Sequence, residues 1–524
     1  MAILLSKRRG DRESSSANLE TPLRPQLPSY TEKLEGPISK LKQLEGHIHH
    51  HHLYFRERIR HFTWTWFTMT MATGGVANVI YQVPEPYRFT GLYTIGCMFF
   101  ILNLVLFLFN LVMISCRFWY YPDTFRASIT HPTESLFTPA WVISLGIILI
   151  TILEYGEPHA GPWLLQTMCC LFWVYCALAT VFSLGIYLIM WSTQTFTIAQ
   201  MTPVWIFPAY PLLVIGPHAS VLAAKAHLLN NGYTSLNFII GGFVFQGIGF
   251  MVSLMIYAAF IYRLMTQKLP QESLRPGMFI SVGPSGFTVS AVVGMGQTIQ
   301  AVVPANFMGE GMGELAGKVS TIMANWMGLW LWGLAIWFFF VSVGAHWSTV
   351  RHGRGKFAMT FYSYIFPNTA LTSATFAIAK ALDNKPIRLI GCVMTCLLVC
   401  AWIAIFSMMI HAVVKKDILW PQKQEDRAEG GWEIHPNEKR VCDPKCPSEA
   451  PQPEESTGDS GIPPPAVNLD GTEDEKVDDD LKEELGRRRQ RQSHGISPSS
   501  AAVRFVDEIV RSTNRYPRSA EDMV

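Results

Sequence analysis

The chain has 524 residues, of which 49% are hydrophobic and 16% are charged, and its formal net charge is +2. A chain of this length that is so apolar in its middle is too hydrophobic for a soluble enzyme and is typical of integral membrane proteins. The small net charge gives no reason to expect a nucleic-acid partner. Composition therefore predicts a protein that is embedded in a lipid bilayer.

The first 60 residues form a polar, basic segment without an apolar run that resembles a signal peptide. We predict that residues 1–60 are a cytosolic tail, and that the first apolar segment, near Phe62, directs membrane insertion. The tract His47–His52 is rich in histidine, but nothing else in the sequence assigns it a function.

The composition changes abruptly after Lys416, where Pro, Glu, Asp, Ser and Arg become abundant. Such a segment cannot bury enough apolar surface to offset its ordering entropy, so residues 417–524 are predicted to be a disordered cytosolic tail. Cys442 and Cys446 have the spacing of half a metal site, and no second pair of ligands is evident near them. We predict a reduced pair, and no metal or cofactor for the protein.

Residues 61–416 contain about ten apolar segments, each on the order of 20 residues and so long enough to cross a bilayer. The odd segments carry Gly, Pro and hydroxyl residues, whereas the even segments are mostly plain apolar helix. In chain order the odd segments contain MATGGVA, TPAWVISLG, FPAYPLLVIGP, SVGPSG and IFPNTA. Proline frees backbone polar groups, which at membrane depth must meet protein or a water-filled cavity.

This alternation predicts an all-α integral membrane fold of ten transmembrane helices, arranged as five helical hairpins around a central pore. Each hairpin would have an inner lining helix and an outer supporting helix. An alternative is that Gly and Pro are simply common in membrane helices, where small residues favour close packing. Gly241 and Gly242 in the sixth segment and Pro386 in the tenth depart from the pattern.

Orientation follows from the Lys and Arg residues of the short loops, which are enriched on the cytosolic side. The side that the N-terminal tail shares receives Arg56, Arg58, Arg60, Arg117, Arg126, Arg263, Lys268, Arg275, Arg351, Arg354, Lys356, Lys415 and Lys416. The opposite side receives fewer, so we predict that both termini are cytosolic.

Candidate substrate contacts lie at or beside the breaks in the odd segments. They are Thr73, Ser285, Thr288, Asn368 and Thr372, together with His218. Hydroxyls and freed N–H groups can donate to an anion. For His218, which follows Pro217, a packed neutral histidine is the alternative. Lys225 and Lys380 should lie toward the outer mouth, where they either draw anions in or extend to the lipid headgroups.

Carboxylates are missing from the middle of every apolar segment, and Glu154, at the end of the third, comes closest. Proton-coupled carriers usually keep a carboxylate at depth. We therefore predict that an anion moves without obligatory proton coupling. An inside-negative potential then favours export of a dianion.

The motifs FTWTWFTMTMATGG, TPVWIFPAYPLLVIGP, SVGPSGFT and YSYIFPNTA occur in this order. They resemble the tellurite-resistance and dicarboxylate transporter family, which includes plant slow anion channels and fungal sulfite efflux pumps, and most of all its fungal malic acid transport proteins. The resemblance covers roughly residues 55 to 416. It implies a ten-helix protomer of five hairpins around a pore, assembled in the plasma membrane as a homotrimer whose protomers conduct separately.

The resemblance also implies a gate and a substrate. A phenylalanine of the ninth helix plugs the pore of the channel members, and Phe366 of YIFP matches it. The implied substrates are C4-dicarboxylates, malate foremost and also succinate or fumarate, with sulfite or another inorganic anion as the alternative. A membrane-embedded enzyme would need ionisable residues around one cavity, and only scattered histidines such as His218, His227 and His346 are available. We therefore predict that the protein is not an enzyme.

Overall fold

The computed structural model describes residues 55–419, except 199–200, 229–231, 271 and 353–356. Both predicted tails therefore lie almost wholly outside the described residues, as do the tract His47–His52 and the pair Cys442 and Cys446. The described residues form helices and no strand.

The principal helices are α1 (Phe67–Tyr81), α2 (Leu92–Tyr120), α3 (Ala140–Thr151), α4 (Pro162–Thr193), α5 (Tyr210–Leu228), α6 (Gly232–Gln267), α7 (Val282–Val302), α8 (Gly313–His352), α9 (Phe366–Ala381) and α10 (Lys385–Val414). Among the described residues, eight helical segments are long and apolar enough to cross a membrane. With 15 and 16 residues, α1 and α9 are too short to count among them. The predicted all-α membrane fold is confirmed, while the predicted ten spans and five hairpins stay predictions.

Burial divides the helices into two sets that follow their order in the chain. In the most apolar windows of α2, α4, α6, α8 and α10, only 22% to 33% of the residues are buried. In the segments that contain α3, α5 and α7 the share is 83% to 89%. Every residue from Phe67 to Ile80 is buried, and so is every residue from Phe366 to Phe376. The odd helices are therefore inner helices, and the even helices expose apolar side chains.

The five inner helices contact one another in a closed order. α1 contacts α3, which contacts α5, and contacts then run from α5 to α7, from α7 to α9 and from α9 back to α1. Small residues allow this close approach. A Cβ added to Gly286 on α7 would lie 2.8 Å from the backbone carbonyl carbon of Ala370 on α9. We call this closed arrangement the inner ring.

The outer helices pack against the inner ring. α2 lies on α1, α6 on α5, α8 on α7 and α10 on α9, so each of these follows its inner helix in the chain. α4 departs from this order, because it contacts α5 more extensively than α3. Asn384 caps the start of α10 by accepting a hydrogen bond from the N–H of Ile387 at 3.0 Å, and Pro386 occupies the first turn.

The inner helices are irregular where they begin. 3₁₀ segments precede four of them, at Trp64–Trp66, Pro203–Ala209, Glu272–Ser281 and Met359–Tyr364. The short helix Glu134–Phe137 precedes α3, which continues at its other end into a π-helical turn, Ile152–Gly156. Prolines in or beside these junctions cannot donate to a regular α-helical ladder. Such changes of helix type often mark hinges or functional sites.

A buried ion pair fixes the connection between α2 and α3. Arg117, which the sequence suggested only as a loop charge, is 0% exposed, and its Nη1 lies 2.5 Å from Oε1 of Glu134. The same Nη1 donates to the carbonyl oxygen of Phe62 at 2.9 Å. Removal of one partner would leave a buried charge uncompensated, which is strongly destabilising.

Candidate functional site

Three aromatic rings meet inside the inner ring, beside the 3₁₀-to-α junctions. Phe366, the first residue of α9, lies 5.3 Å from Phe287 of α7 and 6.0 Å from Tyr210, the first residue of α5 (ring centroids). Because α7 separates α5 from α9 in the ring, the contact with Tyr210 reaches across the interior. We call these three residues the aromatic cluster.

Neighbouring groups hold the aromatic cluster in place. The hydroxyl of Tyr210 donates to the carbonyl oxygen of Ile280, and Phe207 lies 5.4 Å from the Tyr210 ring. A Cβ added to Gly283 would lie 2.2 Å from the Tyr210 hydroxyl, so only glycine fits there without a shift. Phe366 is 3% exposed and Tyr210 is 0% exposed. The cluster therefore fills the interior of the inner ring at this level.

Thr288 contacts an outer helix through a residue that the sequence did not single out. Its hydroxyl donates to the carbonyl oxygen of Pro284 at 2.7 Å and accepts from Nε2 of Gln246 at 2.8 Å. Oε1 of Gln246, on α6, accepts from the N–H of Gly216 at 3.2 Å. Gln246 thus joins α5 and α7 beside the prolines of both helices. Its signal in the sequence was a lone amide in the apolar run FVFQGIGF.

Ser285 also faces outward. It precedes Phe287 by two residues, which places it about 200° around the helix from that interior ring. Its side chain lies beside Tyr257 of α6, whose hydroxyl donates to the carbonyl oxygen of Ser281 at 2.6 Å. Ser285 is 0% exposed, and its hydroxyl completes no hydrogen bond with good geometry within the described residues. The structure therefore favours a packing role for Ser285 over substrate contact.

Two predicted contacts lie on α9, close to Phe366. Nδ2 of Asn368 donates to the carbonyl oxygen of Tyr364 at 2.8 Å, while its Oδ1 is buried without a partner among the described residues. The hydroxyl of Thr372 donates to the carbonyl oxygen of Asn368 at 2.9 Å. The open atom of Asn368 is thus an acceptor, which suits a protonated carboxyl or a water better than a carboxylate oxygen.

Thr73 and His218 face outer helices. The hydroxyl of Thr73 donates to the carbonyl oxygen of Met69 at 2.8 Å and accepts from Nε1 of Trp402, on α10, at 3.0 Å. The His218 ring lies 5.3 Å from Phe172 of α4 and is 0% exposed. Both placements favour helix packing over contact with a substrate in the ring interior.

Other hydroxyls do share the interior face with the aromatic cluster. Ser290 follows Phe287 by three residues, and Ser373 follows Phe366 by seven, so each lies within about 60° of its ring around the helix. Ser220 of α5 faces Gly294 of α7, since a Cβ at this glycine would lie 2.2 Å from the Ser220 hydroxyl. Ser220 and Ser290 are partly exposed. We call Ser220, Ser290 and Ser373 the interior hydroxyls.

Charged side chains gather where the inner helices end. Nζ of Lys225 on α5 lies 2.5 Å from Oε2 of Glu157, just beyond α3, and the two side chains are 17% and 28% exposed. Lys380, at the end of α9, is exposed. Glu154 is 2% exposed, and an Asn78 amide turned with its nitrogen toward this carboxylate donates to Oε1 at 2.8 Å. The sequence did not suggest that Lys225 has a carboxylate partner.

Comparison of the sequence with known proteins identifies a family. The family model described as "Voltage-dependent anion channel" (SLAC1) matches residues 61–410. A malic acid transport protein of Schizosaccharomyces pombe is 33% identical over 387 residues, 73% of this chain and 85% of that protein. A putative malic acid transport protein of the same organism is 30% identical over 375 residues, 71% of this chain and 84% of that protein.

A more distant relative is the sulfite efflux pump SSU1 of Arthroderma benhamiae, which is 23% identical over 354 residues, 67% of this chain and 91% of that protein. The family match contains the whole inner ring, the aromatic cluster and all but the last few residues of α10, the last principal helix of the chain. The chain therefore belongs to the SLAC1 family of voltage-dependent anion channels and is a multi-pass membrane protein that transports anions.

Proposed function

We propose that the transported anions are C4-dicarboxylates, malate foremost and also succinate or fumarate. The observation that carries this proposal is the closed inner ring, whose interior holds the aromatic cluster at one level and partly exposed hydroxyls next to it. Similarity to malic acid transport proteins over 73% of the chain supports the choice of substrate.

The proposed protomer has ten transmembrane helices, five hairpins and a pore along the axis of the inner ring. At 1.5 Å per residue, α1 is about 22 Å long, and the 3₁₀ segment before it adds roughly 6 Å. The sum approaches the hydrocarbon thickness of about 30 Å. α9 and its 3₁₀ segment reach roughly 36 Å by the same estimate. Three protomers would assemble in the plasma membrane, each conducting separately, with both termini cytosolic.

In this mechanism Phe366 is the gate. Its ring, with Phe287 and Tyr210, closes the pore and excludes water, and movement of the ring at the 3₁₀-to-α junction opens the pore. The interior hydroxyls donate to the carboxylates of the passing anion. Ser290, whose hydroxyl donates to the carbonyl oxygen of Phe287 at 3.0 Å, exchanges this bond for one to the anion. The contacts first predicted from the sequence are not part of this proposed path. Asn368 and Thr372 lie about 200° and 120° around α9 from Phe366. Thr73, Ser285, Thr288 and His218 contact side chains of the outer helices.

The direction of transport follows from charge. A dianion in an inside-negative membrane gains about 4.6 kcal/mol per 100 mV on leaving, twice the single-charge value of about 2.3. Glu154 lies two residues from the end of its candidate span, and no carboxylate occupies the middle of a described span. Both points support export without obligatory proton coupling.

Uptake of labelled malate into proteoliposomes that hold the purified protein tests the proposed substrate. We expect saturable uptake that succinate and fumarate inhibit and that empty liposomes lack. Malate current recorded against voltage at two pH values tests the coupling. A reversal potential that follows the proton gradient while the malate species are constant would exclude the uncoupled mechanism.

The second candidate is a sulfite or inorganic anion transporter. The 23% identity with a sulfite efflux pump over 67% of the chain favours its inclusion. The same proteoliposomes separate the two candidates, because sulfite flux that exceeds malate flux at equal concentration would assign the protein to the second.

A further inference from the structure

The pair Lys225–Glu157 joins the ends of two neighbouring inner helices, and neither side chain behaves as a free surface charge. A lysine that extended to the lipid headgroups would be largely exposed, but the Lys225 side chain is 17% exposed and turns toward Glu157. Glu154, nearly buried at the end of α3, also interacts electrostatically with Lys225. The ammonium is therefore paired with Glu157 at the end of the inner ring, and the Glu154 side chain lies in its vicinity.

The two carboxylates differ in how firmly they are held. Glu154 lies within the π-helical turn Ile152–Gly156, is 2% exposed and faces the Asn78 amide. Glu157 begins the short 3₁₀ turn Glu157–His159, and its side chain is 28% exposed. Glu157 can therefore turn to solvent without disturbing buried groups, whereas Glu154 cannot.

We propose that Lys225 is a carboxylate-binding residue for the transported anion, and that Glu157 is a tethered competitor that occupies it in the resting protein. This inference rests on the proposed function. A carboxylate of the dicarboxylate takes the place of the Glu157 carboxylate, so Lys225 stays paired throughout. Such an exchange avoids the cost of leaving a partly buried ammonium without a partner.

The position of Lys225 relates this exchange to the pore. Ser220 precedes it by five residues on α5, about 7.5 Å along the helix axis and about 140° around it. Ser220 faces Gly294 of α7 and Lys225 faces Glu157 beyond α3, so the two side chains lie toward the two ring neighbours of α5, on either side of the ring interior. One carboxylate of the anion can thus bind Lys225 while the rest of the molecule extends toward the interior hydroxyls. The site would favour carboxylates, which accept several hydrogen bonds from an ammonium and a hydroxyl, over a spherical halide.

Removing the competitor and removing the receptor should have opposite effects. Glu157→Gln should lower the malate concentration for half-maximal flux about two- to fivefold, the range expected for release of a partly exposed ion pair. Lys225→Gln should raise it by a similar factor, and the double variant should behave as Lys225→Gln alone. Lys225→Met also removes the charge and keeps most of the side-chain length, and it replaces Lys225→Gln in both backgrounds if the glutamine variant is poorly expressed.

The matched control is the exposed pair Lys318–Glu314 on α8, with the same 2.5 Å separation. Glu314→Gln should leave the half-saturating concentration unchanged. The inference is overturned if Glu157→Gln, at wild-type abundance, leaves that concentration unchanged, or if its effect persists in the Lys225→Gln background. If the wild type carries sulfite or chloride and no malate, the proposed substrate fails. The Glu157 and Lys225 variants and the Glu314→Gln control are then compared with the anion that does pass, which still decides whether Glu157 masks Lys225.

Discussion

Inner and outer helices of this protein have different surroundings: the inner helices are mostly buried in protein, whereas most residues in the apolar windows of the outer helices are not buried. The outer helices α2, α4, α6, α8 and α10 have between 29 and 40 residues and run without a proline after their first turn. The inner helices are shorter and begin in 3₁₀ or short helical segments, and all of them except α1 have prolines at or near those junctions. Regular helix satisfies its own backbone against lipid, whereas irregular backbone needs protein or water around it.

This difference is the reason for placing the proposed path of the anion in the inner set. The interior of the inner ring carries the aromatic cluster and the interior hydroxyls. The outer helices contribute to the site only where one of their polar side chains reaches inward, as Gln246 does. Substitutions of the same type should therefore have different consequences in the two sets.

The largest difference between the two sets of helices is expected in anion flux when a phenylalanine is replaced by alanine. Phe366→Ala should raise anion flux at least about tenfold, because the remaining rings no longer close the pore to water. Phe340→Ala on α8, where the ring is 65% exposed, should change neither flux nor stability appreciably. Flux into proteoliposomes, normalised to protein, measures both.

Because Phe366 is buried, its truncation should also destabilise the protein, which the sequence alone did not suggest. Phe366 is 3% exposed and packs on two rings, so truncation should also lower stability by about 3 kcal/mol. Phe366→Leu retains most of the volume and controls for this loss. Wild-type flux in Phe366→Ala at normal abundance would show that the ring does not gate the pore.

The next largest effect is expected on stability, when a buried side-chain amide is replaced. Gln246→Leu leaves the N–H of Gly216 without its side-chain partner, which should cost about 1–3 kcal/mol. Asn237→Leu on the same helix, at an exposed position, should be close to neutral. Thermal unfolding in detergent compares the two. Equal melting temperatures would mean that Gln246 is not needed to hold α5 and α7 together.

Two glycine-to-alanine substitutions, one in an inner and one in an outer helix, should change the stability of the protein in opposite directions. Gly286→Ala places a Cβ 2.8 Å from the backbone carbon of Ala370, and this overpacking should cost about 1–3 kcal/mol. Gly333→Ala on α8 meets nothing within 4 Å in the described part of the chain and should stabilise by roughly 0.5–1 kcal/mol. Thermal unfolding in detergent measures the stability of both variants. If both variants were destabilised equally, the inner ring would not be packed as closely as the structure shows.

Much of the fold was readable from the sequence because its signals are local. Prolines and glycines mark the inner helices, and apolar runs mark the outer ones, so the alternation and the all-α membrane class followed from short windows such as FPAYPLLVIGP. Helix length was less readable. The 3₁₀ segments before α1 and α9 leave α-helices of 15 and 16 residues, shorter than the apolar runs in which they lie.

Site residues were harder to predict because rotation about a helix axis is not local. Ser285 and Phe287 are two residues apart and so face nearly opposite sides of α7, and nothing in the motif SVGPSGFT says which side is interior. The pair Lys225–Glu157 joins residues 68 positions apart in the chain, so a window around either residue cannot reveal it. Gln246 escaped notice because it lies on a supporting helix.

The smallest expected effect concerns charge at the end of the inner ring. Lys380 is exposed at the end of α9, so it can attract anions only through solvent. Lys380→Gln should lower flux roughly twofold at 0.01 M salt, where the Debye length is about 30 Å, and hardly at 0.15 M, where it is about 8 Å. Lys318→Gln, which removes an exposed lysine already paired with Glu314, should change flux less at either salt concentration.

Lys225 should respond differently to salt. If it binds the anion directly in exchange for Glu157, the loss of flux in Lys225→Gln should persist at 0.15 M, because salt screens contact pairs much less than distant charges. A loss in Lys380→Gln that was independent of salt would mean that this lysine too acts by contact or through the structure, and long-range attraction would then have no remaining support.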